Sequence, residues 1–515
     1  MKKSRKITFE DLQGLFRFGH GALRDSCFLL LNIKDADAAK QWLKTAPVSN
    51  ALKLKAPPET ALQLAFTVEG LRLLGVKESI IEDFSDEFII GMSGNERRSN
   101  RLGDVGENAP ENWGWGGRSE QAPHMLLLLY ARKGGLEVWR KTVEGEAYSQ
   151  AFQLLKQLPT HDIGGEIEPF GFRDGISQPT IDWENQQSTD LHDRDRYSNM
   201  LAVGELVLGY PNEYGLYTNR PLIDPQQDKH AELLPDALDE SGLKDFGRNG
   251  SYLVLRQLEQ DVPGFWQFLN QTADATQQAD NELSREAEAL AAAMVGRKRN
   301  GTPLVPPVVD RIIPGSVSHN NHFTFDQDPA GNKCPIGAHI RRSNPRTGDL
   351  PPGVTGFFSR LLKMLGFQQN RIDEDLIAST RFHRLLRRGR TYGSLLTPEA
   401  AIKPDAPADE RGLQFICLVA SISRQFEFVQ NAWTMNSKFG GVQLERDPLL
   451  GHRAPLMSGE STAQFHRPDA AGPVKKTSCL KQFVTVRGGA YFFMPGLRVL
   501  QYLASIPTNG SDKVS

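Results

Sequence analysis

The sequence predicts an α+β fold, because strand-like segments followed by helix-like segments recur in both halves of the chain. SCFLLLNIKDADAAKQWL (26–43) is an apolar run, a polar turn and a helix-like stretch, and GSYLVLRQLEQDVPGFWQFL (250–269) has the same order. LQLAFTVEGLRLLG (62–75) is matched in the same way by YFFMPGLRVLQYLA (491–504). Several such units without strict alternation are typical of sheets that carry their helices on one face.

A third pair of similar segments extends this repeat, since MLLLLYARKGGLEVWRKTV (125–143) has its counterpart in LQFICLVASISRQFEFVQNAW (413–433). We therefore expect two ferredoxin-like halves, of the dimeric α+β barrel type, that cover residues 1–245 and 246–515. Three stretches are too long to be simple connections between elements, which usually indicates functional insertions. They lie around 76–123, 176–248 and 340–410.

The composition is that of an ordinary globular protein. The 515 residues are 39% hydrophobic and 24% charged, and the formal net charge is -2 at pH 7. This balance indicates neither a nucleic-acid nor a membrane-surface partner. No apolar run has the length of a membrane span, and none follows the charged N-terminus, so we expect a cytoplasmic protein without a signal peptide. The four cysteines are scattered, which favours reduced thiols: Cys27, Cys334, Cys417 and Cys479.

One short segment, EPFGFRDGISQP (168–179), places an arginine and Asp174 between two glycines. Glycine is used where the backbone turns sharply or closely approaches another group. Taken alone, an aspartate in such a turn usually bonds to its own backbone. The segment therefore raises the question of what the backbone approaches and why a carboxylate stands there.

Two further segments carry residues that often serve in active sites. KCPIGAHIRRSNPR (333–346) places His339 after a run of small and apolar residues, and FHRLLRRGRTYG (382–393) contains Arg387 next to Arg388. Asp174, His339 and Arg387 are far apart in sequence, as active-site residues on a folded scaffold generally are. Alone, such a histidine is usually structural, and such an arginine run usually lies on a solvated face.

Several common site patterns do not occur. The sequence has no HExxH, no GxxxxGK phosphate loop, no GxGxxG between a strand and a helix, and no GxSxG elbow. DQDPAGNK (326–333) is similar to the start of a calcium loop, but Ala330 and Gly337 stand where oxygen ligands are needed. HNNH (319–322) has no cysteine or carboxylate at ligand spacing, so we expect a polar loop there.

A histidine, an aspartate and an arginine suit a haem site. Haem iron needs one strong protein ligand, usually an imidazole, and the opposite face is then open to a small oxidant. Cleavage of hydrogen peroxide requires a base that takes a proton and returns it to the departing oxygen, and a cation that stabilises the developing charge. A carboxylate beside an arginine meets both needs, because the positive charge keeps the carboxylate ionised.

The motifs resemble those of the dye-decolourising peroxidase family over nearly the whole chain. GFRDG (171–175) looks like the GxxDG signature of that family, CPIGAHIRRSNPR (334–346) like the segment of its proximal histidine, and LLRRGRTYG (385–393) like the segment of its distal arginine. Other stretches are similar as well: LGDVGENAPENW (102–113), LRQLEQDV (255–262), GRKRNGTPLV (296–305), RGLQFICL (411–418) and GGAYFFMPGL (488–497).

The resemblance implies a role for individual residues. His339 would be the axial iron ligand of haem b, iron protoporphyrin IX, with Asp174 as distal acid–base residue and Arg387 as its partner. Leu413 and Phe415 would line the distal pocket. The family fold is a pair of ferredoxin-like halves in which the C-terminal half holds most of the haem, so residues 1–245 would supply the distal loop.

Further residues enter through the same resemblance. Arg341 or Arg346 would pair with the haem propionates, because both are cationic and follow the histidine. Tyr392 and Trp433 would relay electrons from a bulky reductant, although each is by default a core aromatic. We expect a carboxylate behind the histidine ring, and Glu427 is the residue that we select for it.

The sequence also departs from the family. Some members have an asparagine two residues after the distal arginine, where this chain has Gly389. The interval between His339 and Arg387 is wide, as in the longer members, and it leaves open whether Arg387 or Arg388 faces the iron.

The sequence therefore predicts a haem peroxidase that uses hydrogen peroxide to oxidise bulky organic reductants, such as dyes and phenolics, by one-electron steps. One alternative is a haem-binding, storage or iron-release protein with little turnover, and a second is an unrelated hydrolase on the same scaffold. The Asp–Arg pair favours the enzyme, because a carrier needs no distal acid–base group. The oligomeric state, the physiological reductant and packaging in a protein shell are left open.

Overall fold

The computed structural model describes residues 7–117, 122–162, 164, 166–187, 197–273, 282–309, 312–347, 379–469 and 472–507. Each of the three predicted insertions contains residues outside this described part. The largest such segment is 348–378, within the insertion expected around 340–410.

Fifteen strands occur in the described residues, and six of the longer ones coincide with the apolar runs of the predicted strand–helix units. They are β1 (Asp25–Ile33), β2 (Thr60–Phe66), β3 (Met125–Ala131), β4 (Phe152–Pro159), β5 (Thr180–Ile181), β6 (Met200–Leu201), β7 (Leu222–Ile223), β8 (Lys244–Asp245), β9 (Ser251–Gln260), β10 (Leu386–Arg387), β11 (Arg390–Tyr392), β12 (Gly412–Val419), β13 (Gln464–Arg467), β14 (Lys475–Ser478) and β15 (Val484–Met494).

Several α-helices directly follow a strand, in the strand–helix order that the sequence predicts. They are α1 (Leu15–Phe18), α2 (Ala36–Thr45), α3 (Val68–Leu73), α4 (Glu78–Ile81), α5 (Asp86–Ile90), α6 (Glu96–Leu102), α7 (Leu136–Val143), α8 (Glu146–Ala151), α9 (Val262–Ala273), α10 (Arg285–Val295), α11 (His339–Ser343), α12 (Pro398–Ala401) and α13 (Leu497–Ser505). Single turns of 3₁₀-helix also occur, and residues Ile422–Glu427 and Val429–Thr434 form two π-helical segments. No helix of the described residues is long and apolar enough to cross a membrane.

The three sequence repeats are confirmed as strand–helix units. The segments 26–43, 62–75 and 125–143 contain β1 with α2, β2 with α3 and β3 with α7. In the C-terminal region, 250–269 and 491–504 contain β9 with α9 and the end of β15 with α13. The remaining segment, 413–433, contains β12, but π-helical turns replace the expected α-helix after it.

One large sheet joins the strands of both regions. Its order is β10-β12-β9-β15-β2-β3-β1-β4, with β11 also paired to β12, and every ladder between these described strands is antiparallel. Three further strand pairs lie outside this sheet: β5 with β6, β7 with β8, and β13 with β14.

Both faces of the large sheet are covered, which explains why β1 and β3 read as nearly continuous apolar runs. Successive side chains of a strand point to opposite faces. Leu29 and Leu127 lie in a core with most of the helices, as the sequence predicted. Leu30 and Leu126 face the other side, where the N-terminal segment and residues 201–210 of the insertion cover the sheet.

The two regions of the chain meet where β15 pairs with β2, and a buried glutamine stabilises this seam. Phe493 of β15 lies opposite Phe66 of β2. Gln13 donates from Nε2 to the backbone oxygens of Leu64 and Pro495, at 3.0 and 2.9 Å, and its Oε1 accepts from the Leu64 backbone N–H at 3.0 Å. The single side chain of Gln13 therefore satisfies backbone groups from both regions.

We expect Gln13→Leu to lower the free energy of unfolding by about 2–3 kcal/mol, because buried backbone groups that lose their partner cost about 1–3 kcal/mol each. The measurement is the midpoint of denaturant unfolding in the purified protein. Gln41→Leu, at an exposed position of α2, is the matched control and should leave the midpoint nearly unchanged. Equal midpoints for both variants would contradict a role for Gln13 at the seam.

Candidate active site

A cavity of about 250 Å³ lies between the sheet and the segments around residues 170, 340 and 430. Its lining is mainly apolar, with a few charged side chains. Six residues that the sequence singled out line it together: Asp174, His339, Arg346, Arg387, Leu413 and Phe415. The structure therefore brings together residues that are as much as 241 positions apart (415 − 174).

Asp174 stands in a loop that only glycine-rich sequence can form. Gly171 and Gly175 have φ angles of 92° and 79°, in the left-handed region that residues with a side chain rarely adopt. The backbone N–H of Asp174 donates to the backbone oxygen of Glu166 at 2.8 Å. The backbone N–H of Arg173 donates to the backbone oxygen of Arg299 at 3.0 Å. These bonds fix the loop and present the Asp174 carboxylate to the cavity.

Asp174 and Arg387 form an ion pair at the cavity wall. Arg387 Nη1 donates to Asp174 Oδ1 at 2.9 Å, and the side chains of Arg387 and Asp174 are 31% and 42% exposed. Burial raises the pKa of Asp174, but the charge and hydrogen bond of Arg387, together with a bond from the Gly175 backbone, outweigh it and hold this pKa below its ordinary value. The carboxylate is therefore ionised and ready to accept a proton.

Arg387, rather than Arg388, faces the cavity. The two guanidinium groups diverge, and Arg388 donates to the backbone oxygens of Leu15 and Phe16, both at 2.8 Å. Gly389 follows because a Cβ at that position would lie 2.5 Å from the backbone oxygen of Gln414. The close approach to β12 therefore excludes the asparagine found in some family members.

His339 begins helix α11 on another wall of the cavity. Its Nδ1 lies 2.9 Å from Asp447 Oδ2, and the other carboxylate oxygen accepts from the backbone N–H groups of Leu449 and Leu450, both at 2.9 Å. Burial lowers the pKa of His339, but Asp447 outweighs burial and raises it. Because Asp447 holds Nδ1, the Nε2 atom is the one left for a ligand.

The carboxylate behind the histidine is Asp447, so the selection of Glu427 is wrong. Glu427 is buried elsewhere, where it accepts from the Tyr491 hydroxyl and pairs with Arg98. Asp447 lies 108 residues after His339 and precedes a proline. In sequence it resembles an ordinary turn-forming aspartate, and no pattern there indicated the contact.

The two arginines after the histidine lie in different places. Arg346 lines the cavity and donates from Nη1 to the backbone oxygens of Asn321 and Phe323, at 3.0 and 2.6 Å. Arg341 does not line it, since its guanidinium donates to Asp328 and to the backbone oxygen of Cys334. The structure thus brings one of the two expected arginines to the site.

Two further arginines, which the sequence did not single out, line the same wall as Arg346. Arg297 Nη2 donates to Ser177 Oγ at 2.9 Å, and Arg384 donates to Asn199 Oδ1 at 2.8 Å. Burial lowers the pKa of Arg297 to about 9 and that of Arg346 to about 10. Within the described residues, no carboxylate forms an ion pair with any of the three, so this wall favours a bound anion.

Buried acidic groups also line the cavity. Glu168 accepts from the backbone N–H groups of Phe170 and Phe172 and from Gln260, and burial raises its pKa to about 7. Asp104 forms a buried ion pair with Arg256. Asp104 lies in the family-like stretch LGDVGENAPENW, which was a signal for it, whereas Glu168 lies three residues before the GFRDG motif and had no such signal.

The expected electron relay residues are buried, and neither lines the cavity. Tyr392 belongs to β11 at one edge of the large sheet. Trp433 belongs to the second π-helical segment and contacts the rings of His383 and Phe428, at centroid distances of 5.1 and 5.3 Å. Trp433 directly precedes Thr434, which does line the cavity.

Curated relatives match the chain over most of its length, although no family model matches it. The sequence is 30% identical to the multifunctional dye peroxidase DyP2 of an Amycolatopsis species, over 76% of this chain and 73% of that protein. It is 26% identical to dye-decolorizing peroxidase msp1 of Mycetinis scorodonius, over 98% of this chain and 89% of that protein. The chain therefore belongs to the dye-decolourising peroxidase family, and it is a haem-dependent peroxidase.

Solved structures of related peroxidases share the fold. A DyP-type peroxidase of Anabaena superposes with a TM-score of 0.67 at 22% identity, covering 96% of this chain and 94% of that one. A dye-decolorizing peroxidase in complex with 2,6-dimethoxyphenol superposes with a TM-score of 0.69 at 21% identity, covering 97% and 100%. The predicted α+β, ferredoxin-like fold is thereby confirmed.

The cavity lining fits a haem group. An imidazole whose Nδ1 is already held by a carboxylate suits an iron ligand. Leu413 and Phe415 offer apolar surface of the kind that a porphyrin contacts. The buried arginines without a carboxylate partner suit the two negative propionates, because a buried charge is stable only when it is paired.

Replacing Arg387 with leucine should shift the acid limb of the pH–rate profile, the pH range in which the peroxide reaction slows on acidification, to higher pH. In the wild type, Asp174 stays ionised until the pH falls through its depressed pKa. Without the opposite charge that pKa rises, so the rate should be lost at a higher pH. The measurement is the pH dependence of cofactor oxidation by peroxide in a stopped-flow instrument.

Arg173→Leu is the control for this shift, because Arg173 neighbours Asp174 in sequence but its guanidinium is paired with Glu166 at 2.8 Å. It should leave the acid limb in place. An unchanged acid limb in Arg387→Leu would show that Arg387 does not set the protonation of Asp174.

Proposed function

We propose that the enzyme uses hydrogen peroxide to oxidise organic reductants, including dyes and phenols, by one-electron steps at a haem b group bound through His339. The observation that carries the proposal is that one cavity contains both His339, supported by Asp447 at 2.9 Å, and the Asp174–Arg387 ion pair, also at 2.9 Å. A ligand for the iron and an acid–base group for peroxide thus share one site.

The haem iron, when bound, supplies the site at which peroxide is reduced by two electrons. Asp174 takes a proton from the peroxide and returns it to the departing oxygen, which leaves as water. Arg387 keeps Asp174 ionised before this transfer and stabilises negative charge on the departing oxygen. His339 binds through Nε2, and Asp447 accepts from its Nδ1–H, which fixes the ring and increases the basicity of the ligand.

The wall formed by Arg297, Arg346 and Arg384 would hold the haem propionates. These side chains are fixed by neutral partners, such as Asn199 and Asn321, so their charges are not cancelled locally. Leu413 and Phe415 would exclude water from the cavity that they share with Arg387, which would strengthen the electrostatic effect of that arginine. This apolar space suits peroxide rather than a large dye.

Dyes and phenols are proposed as the reducing substrates because these compounds appear in the names of related proteins. The curated relatives are dye-decolorizing peroxidases, and one structural neighbour is a complex with 2,6-dimethoxyphenol. Electrons from a reductant outside the cavity would pass through aromatic side chains. Trp433 and Tyr392 are proposed for that role, and the position of Trp433 beside the cavity-lining Thr434 supports the first of them.

We also propose that the chain consists of two halves, 1–245 and 246–515, that share the active site. The distal Asp174 comes from the first half, whereas His339, Asp447 and Arg387 come from the second. The strand sets support this division, since β1–β4 lie at one end of the large sheet and β9, β10 and β12 at the other.

A haem-storage or iron-release protein is the alternative. Such a protein would need His339 and the arginine wall but not an ionised carboxylate held against an arginine. The depressed pKa of Asp174 therefore favours the enzyme. The two functions are distinguished by the rate at which peroxide oxidises the haem cofactor of the wild-type protein.

His339→Ala should remove the axial ligand, so haem added to the variant should show a weakened, shifted Soret band. Added imidazole should restore the wild-type spectrum if it enters the space left by the ring. The control is His161→Ala, since His161 is exposed and does not line the cavity. A wild-type Soret band in His339→Ala without imidazole would show that another residue binds the iron.

Asp174→Asn should slow cofactor oxidation by peroxide about 10²–10⁴-fold, the usual contribution of a general acid–base group, while haem remains bound. Asn keeps the shape of the side chain but cannot take the proton. Asp83→Asn, at an exposed position, is the control. A wild-type rate in Asp174→Asn would contradict the role assigned to Asp174, whereas slow cofactor oxidation by peroxide in the wild type itself would favour the storage alternative.

A further inference from the structure

A second titratable pair lies directly behind the cavity. Tyr491 of β15 is buried, and its hydroxyl donates to Glu427 Oε1 at 3.0 Å. Its ring contacts that of Phe426 edge-on, at a centroid distance of 6.1 Å. Phe426 lines the cavity, as do Val484 and Val486 of the same strand as Tyr491. One ring therefore separates Tyr491 from the proposed haem site.

The acceptor of this hydrogen bond is a fully buried carboxylate between two arginines. Arg98 Nε lies 3.0 Å from Glu427 Oε1, and Arg101 Nη2 lies 3.7 Å from Oε2. Burial raises the pKa of Glu427, whereas the charge of Arg98 lowers it. The carboxylate is thus stabilised as an anion but is more basic than an exposed glutamate. Arg101 is 47% exposed, so the cluster reaches solvent at one end.

A purely structural tyrosine does not require such an acceptor. A buried hydroxyl is satisfied by a neutral partner at lower cost, because a buried anion must be paired and hydrogen-bonded to be tolerated. Elsewhere in this core Tyr252 has a neutral partner, since its oxygen accepts from the Ser85 backbone N–H at 3.0 Å. The cluster around Glu427 differs from this, because Arg98 and Arg101 hold its carboxylate as an anion and so give Tyr491 a proton acceptor inside the core.

We propose that Tyr491 and Glu427 form an internal redox site that stores one oxidising equivalent, an inference that rests on the proposed peroxidase function. Tyr491 gives one electron to the peroxide-oxidised haem group, its O–H bond breaks, and the proton moves to Glu427. The products are a neutral tyrosyl radical and a protonated glutamate. An electron from the organic reductant, with return of the proton from Glu427, restores the pair.

The proton acceptor is what makes this oxidation feasible in the interior. Removal of an electron alone would leave a cationic phenol in a buried site, and an uncompensated buried charge is strongly unfavourable. Transfer of the proton across the existing 3.0 Å hydrogen bond keeps the phenol neutral. The positive charge then remains on Arg98 and Arg101, and the exposed end of the cluster at Arg101 places part of it near solvent. The pair would hold the equivalent until a bulky reductant arrives.

The test is electron paramagnetic resonance of the haem-loaded protein, frozen after addition of peroxide without reductant. Ring-deuterated tyrosine should narrow the signal, which identifies a tyrosyl radical, and Tyr491→Phe should abolish that signal. Tyr502→Phe is the matched control, because Tyr502 also donates to a carboxylate, Asp228 at 2.7 Å, but lies on α13 and does not line or adjoin the cavity. It should leave the signal intact.

A second set of measurements tests whether Glu427 accepts the proton, with a substitution that preserves the shape of the side chain. High-field resonance of the wild-type radical should show the lowered g-value of a phenoxyl oxygen that is hydrogen-bonded to a protonated acid. Glu427→Gln retains an acceptor oxygen but no base, and it should lose the radical. A signal that persists in Tyr491→Phe, or that disappears in Tyr502→Phe, would overturn the assignment to Tyr491.

The rate of cofactor oxidation by peroxide, measured in the same wild-type sample, separates this inference from the proposed function. A wild-type cofactor that peroxide does not oxidise would overturn the peroxidase function itself. Normal oxidation of the cofactor, with a tyrosyl signal unaffected by Tyr491→Phe, would overturn only the redox role of Tyr491.

Discussion

The ion pair between Asp174 and Arg387 joins a loop of the N-terminal region to an edge strand of the C-terminal region. In the segment that follows this loop, Gln178 Oε1 accepts a hydrogen bond from the backbone N–H of Arg387 at 3.0 Å. Strand β10 has only two residues, and Arg387 pairs there with Cys417 of β12. Side-chain and backbone contacts therefore act together, so the position of the carboxylate in the cavity depends on the alignment of both regions.

The large sheet supplies that alignment, because one of its faces is also a wall of the cavity. Arg256, Leu258 and Gln260 alternate along β9 and line the cavity, while Leu253 and Leu255 point into the opposite core. Neighbouring strands contribute Leu413 with Phe415 and Val484 with Val486. A rigid, hydrogen-bonded surface thus forms one wall of the cavity, which loops alone would hold less precisely.

Buried charge is concentrated around this cavity. Asp104 pairs with Arg256, Glu427 pairs with Arg98, and three arginines form the wall that favours an anion. Buried ion pairs are often less stabilising than apolar residues of the same volume. We attribute their number to the proposed chemistry of the site, which would require fixed charges near a bound cofactor and near the protons that move.

The sequence by itself determined the strand–helix repeats, the α+β class and the selection of Asp174, His339 and Arg387, which line one cavity, because these depend on local patterns and on motifs of adjacent residues. The tertiary structure decided between Arg387 and Arg388, brought Arg346 but not Arg341 to the cavity, and replaced Glu427 with Asp447 behind His339. It also paired Tyr491 with Glu427, which are 64 residues apart. Such contacts depend on which strands and turns meet in space. The residues next to a turn-forming aspartate or a strand tyrosine in sequence do not indicate which partner folding places beside it.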